Sequence, residues 1–131
     1  MELGMVGLGR MGANMAERLL RGGHKVTGFD PNADARKALE GKGAASADSL
    51  QALVHAQPAP RVVWLMVPAG KITDDTVNTL LPLLPPGDTV IDGGNSNYND
   101  PLRRAALYRD HKLNYVDCGT SGGVWGLAEG Y

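Results

Sequence analysis

This sequence has little cysteine, little net charge and no long apolar run. Cys118 is the single cysteine, so no disulfide can form within the chain, and we expect a reducing, cytoplasmic environment. The formal net charge of −1 gives no electrostatic attraction to nucleic acid. No apolar run approaches the ~20 residues of a membrane-spanning helix, and no basic and apolar leader precedes the first predicted strand. We therefore expect no nucleic-acid partner, no membrane partner and no secretory signal.

Glycine, in contrast, is plentiful, and the first glycine cluster follows directly on a predicted strand. Residues 3–6 form an apolar run, and Gly7, Gly9 and Gly12 then repeat the pattern G-x-G-x-x-G. A helical pattern of apolar residues begins at Met11 and ends at a pair of glycines. In such a strand–turn–helix unit the first glycine permits the tight turn, the second lets a pyrophosphate approach the backbone, and the third lets the helix pack closely on the strand. The alternative is a flexible turn that binds nothing.

Asp30 favours nucleotide binding over that alternative. Residues 25–30 predict a second strand that ends in this acid, eighteen positions after Gly12 and close to the ~20 typical of dinucleotide-binding folds. A carboxylate there can accept hydrogen bonds from both ribose hydroxyls of NAD, and its charge would repel the 2′-phosphate of NADP. An ordinary turn acid is the alternative, because Asp30, Pro31 and Asn32 also suit a turn. We predict NAD as the cofactor, preferred over NADP.

Strands and helices alternate along the rest of the chain with short connections. This alternation predicts an α/β fold with a doubly wound parallel sheet, a Rossmann-like NAD(P)-binding domain over residues 1–131, in the strand order 3-2-1-4-5-6. The expected later segments are a helix over 33–39 capped by Asn32, a short strand over 43–45, a helix that starts at Ser46 or Asp48, a strand over 62–67, a helix over 74–84, a strand over 89–92, a helix that starts at Asp100 and Pro101, and a strand over 114–118. The predicted buried stripe of the last helix is Leu102, Ala105, Ala106 and Arg109.

Ligands of such sheets lie beyond the carboxyl ends of the strands, so the residues there are the candidate binding residues. The candidate cofactor-binding residues are Gly7, Leu8, Gly9, Arg10, Met11, Gly12, Asp30, Val67, Pro68 and Ala69. Asn95 and the loop of Ser121, Gly122 and Gly123 carry short polar groups and bare backbone, which suits a polar substrate. A turn role is the alternative for Asn95, and an exposed helix start is the alternative for Arg10.

Few residues have the chemistry of a catalytic centre. His24, His55 and His111 stand at helix ends or in a charged run, so we predict them at the surface. No cluster of Cys, His and carboxylate side chains has the spacing of metal ligands, so no metal site is predicted. Hydride transfer from an alcohol needs a base for the hydroxyl proton, and no Lys–Glu pair is placed for that role. We therefore expect this chain to be the first domain of a longer enzyme.

Three motifs together resemble the decarboxylating 6-phosphogluconate dehydrogenase family, within the β-hydroxyacid dehydrogenase superfamily. They are Gly-Leu-Gly-Arg-Met-Gly-Ala-Asn-Met-Ala over 7–16, Ile-Asp-Gly-Gly-Asn-Ser over 91–96 and Gly-Thr-Ser-Gly-Gly-Val-Trp-Gly over 119–126. The likeness covers nearly the whole chain and is closest to the shorter, NAD-preferring branch. It implies oxidation of the 3-hydroxyl of 6-phosphogluconate and loss of carbon dioxide, which gives ribulose 5-phosphate in the pentose phosphate pathway.

The resemblance also implies roles for particular residues. It places Asn95, Ser121, Gly122 and Gly123 against the substrate, with Asn95 also near the nicotinamide. The family's catalytic lysine and glutamate lie beyond Tyr131, as does the helical domain that forms most of its dimer. We therefore expect the full-length enzyme to be a homo-oligomer and the chain alone to bind nucleotide without turnover.

The resemblance gives the same cofactor preference as the charge of Asp30. The NADP-dependent branch has an Asn-Arg-Thr run that takes the 2′-phosphate, and those places are Asp30, Pro31 and Asn32 here, which adds Pro31 and Asn32 to the candidate cofactor-binding residues. Two alternatives stay open. One is another β-hydroxyacid dehydrogenase, such as 3-hydroxyisobutyrate dehydrogenase, and the other is a stand-alone NAD-binding module without catalysis.

Overall fold

The computed structural model of the chain describes residues 1–68, 70–94 and 99–119, with the backbone alone at 99–101. The strands are β1 (Glu2–Val6), β2 (Lys25–Phe29), β3 (Ala45–Ser46), β4 (Val62–Leu65), β5 (Thr89–Asp92) and β6 (Asn114–Asp117). The helices are α1 (Arg10–Arg21), α2 (Ala33–Glu40), α3 (Leu50–His55), α4 (Lys71–Leu80) and α5 (Asn99–Asp110), and a 3-10 turn follows α4 at Leu81–Leu83. No helix in the described ranges is long and apolar enough to cross a membrane.

The six strands form one parallel sheet in the order β3-β2-β1-β4-β5-β6, which confirms the predicted α/β fold and strand order. β1 pairs with β2 on one side and with β4 on the other, so Val6 lies beside both Phe29 and Leu65. The strand order therefore reverses at β1. A reversal of this kind opens a crevice beyond the carboxyl ends of the strands, and ligands bind there in open α/β sheets.

Apolar side chains on the two faces of the sheet build two separate cores. Met5 packs with Met15 of α1 in one core, and Val6 packs with Val77 of α4 in the other. Neighbouring residues of a strand point to opposite faces, which is why Met5 and Val6 fall in different cores. Each buried side chain of this size contributes roughly 1.5–3 kcal/mol of apolar burial. The two cores thus hold α1 and α4, which both start at the crevice, on opposite faces of the sheet.

The predicted unit of β1, α1 and β2 is confirmed, as is the cap of the next helix. α1 ends at Arg21 with Gly22 as its C-cap. Asn32 caps α2, because its side-chain oxygen accepts the N–H of Asp34 at 2.9 Å and that of Ala35 at 3.4 Å. The chain therefore turns sharply into α2 as soon as it leaves the end of β2.

The third strand and the start of α3 differ from the prediction. β3 covers Ala45–Ser46, two residues later than expected, and neither Ser46 nor Asp48 starts α3. Ser49 caps that helix, because its hydroxyl oxygen accepts the N–H of Ala52 at 3.1 Å. Several short polar residues in a row offer equivalent caps, and the pairing of Ser46 with β2 decides among them.

α4 starts three residues earlier than the predicted Asp74. Gly70 has a φ of +88°, a conformation that favours glycine, and the helix begins at the next residue, Lys71. The hydroxyl of Thr73 donates to the carbonyl oxygen of Pro68 at 2.7 Å and holds the first turn of the helix on the preceding loop. The predicted end of the helix is a 3-10 turn. The earlier start brings one more helical turn to the crevice.

α5 buries a different face from the predicted one. Among its side chains from residue 102 onward, which the structure describes, the buried ones are Arg104 and Tyr108, whereas Leu102 is 57% exposed. Of the predicted stripe, the exposed members are Leu102 and Arg109, and the half-buried members are Ala105 and Ala106. A charged side chain is buried only when it is paired. A pattern of apolar residues therefore cannot reveal a helix face whose central buried residue is an arginine.

Candidate functional site

A groove of about 680 Å³ opens beyond the carboxyl ends of β1, β2 and β4. Its walls come from the glycine turn after β1, the end of β2, the loop after β4 and the first turns of α1 and α4. The lining residues are Val6, Gly7, Gly9, Arg10, Met11, Gly12, Phe29, Asp30, Pro31, Met66, Val67, Pro68, Ile72 and Thr76. The groove thus brings together most of the candidate cofactor-binding residues from three separate parts of the sequence.

Gly7 and Gly12 are glycines for steric reasons. Gly7 has a φ of +94°, and a Cβ atom added there would lie 2.3 Å from the carbonyl oxygen of Met66. A Cβ atom added at Gly12 would lie 2.0 Å from the carbonyl oxygen of Gly7. Both distances are shorter than any real contact, so α1 approaches the turn this closely only because both side chains are absent.

Gly9 has no such neighbour. It is exposed, it is the N-cap of α1, and a Cβ atom added there would meet nothing within 4 Å among the residues that the structure describes. The first N–H groups of a helix have no partner inside the helix, and the helix dipole places partial positive charge there. The first turn of α1 carries no acidic residue that would offset this charge. The bare backbone at Gly9, next to Arg10 and Met11, therefore fits an anionic group such as a pyrophosphate.

Asp30 ties the end of β2 to the glycine turn. One carboxylate oxygen accepts the N–H of Leu8 at 2.8 Å, and the other accepts the N–H of Asn32 at 2.9 Å. Asp30 therefore has the turn role that the sequence left open, and it also lines the groove. Because each carboxylate oxygen has two lone pairs, both oxygens can still accept a hydroxyl from a ligand. The two interpretations of this residue are compatible.

Two of the candidate residues contribute through the backbone or to another element. The side chain of Leu8 is buried in the core with α1, and only its N–H takes part in the turn. The side chain of Asn32 caps α2. Sequence reasoning missed Arg36, whose guanidinium donates to the carbonyl oxygens of Asp30 at 2.7 Å and of Pro31 at 3.4 Å. No local pattern marks this arginine, because its partners are main-chain atoms.

The wall opposite Asp30 is more apolar and was only partly predicted. Val67 and Pro68 line it as expected, and Ile72 and Thr76 of α4 extend it. These two residues lie one helical turn apart on one face of α4. They were missed because the helix starts earlier than the sequence indicated. Ile72 is 51% exposed, so part of its apolar surface is open to the groove.

A model of the family described as the NAD binding domain of 6-phosphogluconate dehydrogenase matches residues 2–131, almost the entire chain. The chain belongs to this family. The predicted membership is therefore confirmed, and the groove is that of a 6-phosphogluconate dehydrogenase-like NAD-binding domain in the hydroxyacid dehydrogenase superfamily.

Similar proteins come from several organisms. The NAD(+)-dependent, decarboxylating 6-phosphogluconate dehydrogenase of Haloferax volcanii is 44% identical over 131 residues, which are 100% of this chain and 43% of that protein. The Plasmodium falciparum 6-phosphogluconate dehydrogenase structure, described with its cofactor NADP+ and its substrate 6-phosphogluconate, is 26% identical, with a TM-score of 0.87 over 97% of this chain and 28% of its own. The Mycobacterium tuberculosis 3-hydroxyisobutyrate dehydrogenase is 32% identical, with a TM-score of 0.87 over 95% of this chain and 42% of its own. The chain spans less than half the length of these relatives.

The remaining candidates of this NAD-binding domain lie outside the described residues. They are Ala69, Asn95, Ser121, Gly122 and Gly123. Their contacts with cofactor or substrate stay predictions. Of the histidines, His55 and His111 are exposed as predicted, His24 is half-buried, and none of the three is among the groove-lining residues that the structure describes.

A buried ionic cluster that was not predicted lies behind the groove of the NAD-binding domain. Arg104 is 2% exposed, and its Nε and Nη2 atoms donate to Asp74 Oδ1 at 3.0 and 2.8 Å. Its Nη1 atom donates to Asp92 Oδ2 at 3.4 Å. The hydrogen bonds from Arg104 hold the pKa of the Asp74 carboxyl below its usual range. Burial and the nearby Asp92 charge raise the pKa of the Tyr115 phenol, which therefore keeps its proton.

Proposed function

We propose that residues 1–131 form the NAD-binding domain of a longer NAD-dependent 6-phosphogluconate dehydrogenase. The reaction is oxidation of the 3-hydroxyl of 6-phosphogluconate and loss of carbon dioxide, which yields ribulose 5-phosphate in the cytoplasm. Family membership and the name of the Haloferax volcanii relative support the substrate and the reaction. When bound, NAD supplies the hydride acceptor. The residues of this domain bind and orient it.

The observation that carries the cofactor assignment is the position of Asp30. Its carboxylate lines the groove and is held from behind by the N–H of Leu8, so its charge is fixed at the end of β2. A carboxylate at this place favours the free 2′-hydroxyl of NAD and repels the 2′-phosphate of NADP. Pro31, where the resemblance to the NADP-dependent branch expects an arginine, offers no positive charge to offset that repulsion.

The rest of the cofactor has a complementary surface along the groove. The N-terminus of α1 at Gly9 and the side chain of Arg10 offer partial and full positive charge to the pyrophosphate. The apolar wall of Val67, Ile72 and neighbouring residues covers the nucleotide from the other side. This arrangement orients the cofactor between a charged wall and an apolar wall and excludes water from the latter.

Substrate contacts are proposed for Asn95, Ser121, Gly122 and Gly123, on the strength of the family motifs alone. The family's lysine and glutamate, which act on the substrate, lie beyond Tyr131. We therefore expect residues 1–131 to bind NAD without turnover. Production of NADH by this chain that depends on 6-phosphogluconate would refute that part of the proposal.

Calorimetry with NAD and NADP tests the cofactor assignment. We expect NAD to bind much more tightly, and Asp30→Asn to narrow the gap by roughly tenfold, the effect of about 1.4 kcal/mol for one charged hydrogen bond. Asparagine keeps an oxygen for the N–H of Leu8, so that contact with the glycine turn is preserved, while the contact with the Asn32 N–H is lost. Asp34→Asn, at an exposed position in the first turn of α2, is the matched control and should leave the gap unchanged. Equal affinities in the wild type would overturn the assignment.

A second candidate function is 3-hydroxyisobutyrate dehydrogenase or another β-hydroxyacid dehydrogenase. The Mycobacterium tuberculosis structure favours it, because its TM-score equals that of the Plasmodium falciparum 6-phosphogluconate dehydrogenase and its identity is higher. Assays of the longer enzyme with both substrates separate the two candidates. A third candidate, a stand-alone NAD-binding module, requires that the native protein has the mass of this chain, which intact mass spectrometry measures.

A further inference from the structure

The turn that follows β5 is fixed by one fully buried carboxylate. Asp92 is 0% exposed, and its Oδ1 atom accepts the N–H of Gly94 at 3.0 Å. Its Oδ2 atom accepts the hydroxyl of Tyr115 at 3.1 Å and the guanidinium of Arg104 at 3.4 Å. One carboxylate therefore joins the turn of residues 93–94 to β6 and α5. Hydrogen bonds with a charged partner of this kind are stronger than neutral ones.

The same turn packs directly against the wall of the groove. The N–H of Gly93 donates to the carbonyl oxygen of Leu65 at 2.9 Å. A Cβ atom added at Gly94 would lie 2.8 Å from the carbonyl oxygen of Val67, and one added at Gly93 would lie 2.4 Å from Nε1 of Trp64. The backbone of the turn therefore lies in close contact with Val67, which lines the groove, and a shift of the turn toward Val67 would press on that residue.

We propose that Asp92 is a positioning residue for the nicotinamide half of the cofactor. It fixes the Gly93–Gly94 turn against Val67, and Tyr115 and Arg104 fix the orientation of its carboxylate. The proposal rests on the proposed function in one respect: with the adenosine ribose at Asp30 and the pyrophosphate at Gly9, the Val67 side of the groove is left for the nicotinamide. The hold of Asp92 on the Gly94 N–H is independent of any ligand. An asparagine at position 92 cannot accept from all three donors, because its amide nitrogen is itself a donor.

Two variants and a matched control test the proposal. Asp92→Asn removes the charge, and Tyr115→Phe removes only the phenol hydroxyl, so it keeps the fold if the first variant does not. Tyr108→Phe is the control, because the hydroxyl of Tyr108 donates to the carbonyl oxygen of Val77 instead of Asp92; Tyr108 is buried, and Tyr115 is half-buried. Amide hydrogen exchange of Gly94 is measured by NMR. The affinities of NAD and of ADP-ribose, which lacks the nicotinamide, are measured by calorimetry.

We expect Asp92→Asn to speed exchange of the Gly94 amide by about tenfold, as for the loss of one charged hydrogen bond, and Tyr115→Phe by a smaller factor, because the carboxylate remains but loses one of the donors that orient it. NAD should bind about fivefold more weakly while ADP-ribose changes less than about twofold, because the loss is confined to one half of the ligand. Tyr108→Phe should lower the melting temperature and leave both readouts unchanged. Equal effects in Tyr108→Phe, or unchanged Gly94 exchange in both test variants, would overturn the proposal. If the wild type binds neither ligand, the proposed function fails, and Gly94 exchange still decides whether Asp92 holds the turn.

Discussion

The glycine turn after β1 and the turn after β5, which packs behind the Val67 wall of the groove, are built in different ways. On the side of β1 and β2, the turn is fixed mainly by backbone contacts, such as the 2.9 Å hydrogen bond from the Gly7 N–H to the end of β2, and by the absence of side chains. The carboxylate of Asp30 is the one side-chain group described above that also holds this turn. On the side of β5, the turn is fixed by buried charges that lie far apart in sequence, since Arg104 is 12 positions from Asp92 and 30 from Asp74. The first side should therefore fail through steric clash, and the second through an unpaired charge.

The largest loss of stability is expected on the β5 side, from Arg104→Met. The variant fills a similar volume but leaves the fully buried Asp92 carboxylate without its cation, so the free energy of unfolding should fall by about 4 kcal/mol. Arg103→Met is the matched control, because Arg103 also pairs with Asp74 but its side chain is 63% exposed. Exposed ion pairs contribute about 0–1 kcal/mol. Urea unfolding at pH 7 measures both values, and similar losses in the two variants would contradict the comparison.

The pH dependence gives a second readout of that variant. Arg104 hydrogen bonds lower the pKa of Asp74 from its ordinary value of 3.8, so this ion pair stabilises the folded state above pH 3.8 and loses its effect as the pH falls. The wild type should therefore lose this stabilisation on acidification, whereas Arg104→Met has none of it to lose. The stability curves of the two proteins should approach each other toward acid pH.

On the backbone side, Gly12→Ala should cost about 3 kcal/mol of stability. The new methyl group would lie 2.0 Å from the Gly7 carbonyl oxygen, and a backbone atom cannot move aside as a flexible side chain does. Gly9→Ala is the control, since its methyl group meets no protein atom within 4 Å, and its stability should change by less than about 1 kcal/mol. Gly9→Ala should instead weaken NAD binding, because the methyl group occupies the space proposed for the pyrophosphate. Equal stability of Gly12→Ala and Gly9→Ala would contradict the expectation that this turn fails through steric clash.

The same contrast explains how much of the molecule was predictable from the sequence. The steric roles of Gly7 and Gly12 and the position of Asp30 directly after β2 were predicted correctly, because they depend on residue type and on spacing along the chain. The strand order followed from the alternation of strands and helices, which leaves few topologies. The predicted boundaries of helices were wrong where several equivalent capping residues stood in a row, as before α3. They were also wrong where a glycine with positive φ, Gly70, preceded a helix that has no side-chain cap.

The ionic cluster around Arg104, which lies behind the groove, was not predictable in the same way. From the sequence, Arg104 is expected to be a solvent-exposed residue of α5. Its burial becomes favourable only when the folded sheet and α4 bring two carboxylates to it. Tyr108 likewise finds its partner, a carbonyl oxygen of α4, through the tertiary fold. No period in the sequence encodes these partners. The groove residues Ile72 and Thr76 were missed for a related reason, since only the true start of α4 places them in the wall of the groove.

A smaller effect separates the two roles of Asp30. Asp30→Ala loses both the charge and the acceptor for the Leu8 N–H, whereas Asp30→Asn keeps an acceptor oxygen. We expect Asp30→Ala to be less stable than Asp30→Asn by about 1 kcal/mol, with a similar narrowing of the gap between NAD and NADP affinities. Urea unfolding and calorimetry measure the two quantities separately. If both variants narrow the affinity gap relative to the wild type but are equally stable, the carboxylate does not hold the turn.

The smallest effect concerns Tyr115 on the β5 side and how the free energy of unfolding changes at alkaline pH. Burial, with the charge of Asp92, raises the pKa of Tyr115 above its ordinary value of 10.0, so the folded state keeps a phenol that the unfolded chain ionises. This contribution is complete below pH 10 and is lost as the pH rises, with a slope of up to about 1.4 kcal/mol per pH unit. Tyr115→Phe should be about 1 kcal/mol less stable at pH 8, because Asp92 loses a donor, but its stability should fall less steeply toward pH 11. The two curves should therefore converge in urea unfolding between these pH values. Parallel curves would mean that the Tyr115 hydroxyl does not contact Asp92, and Arg104 would then be the more important of these two donors to the carboxylate.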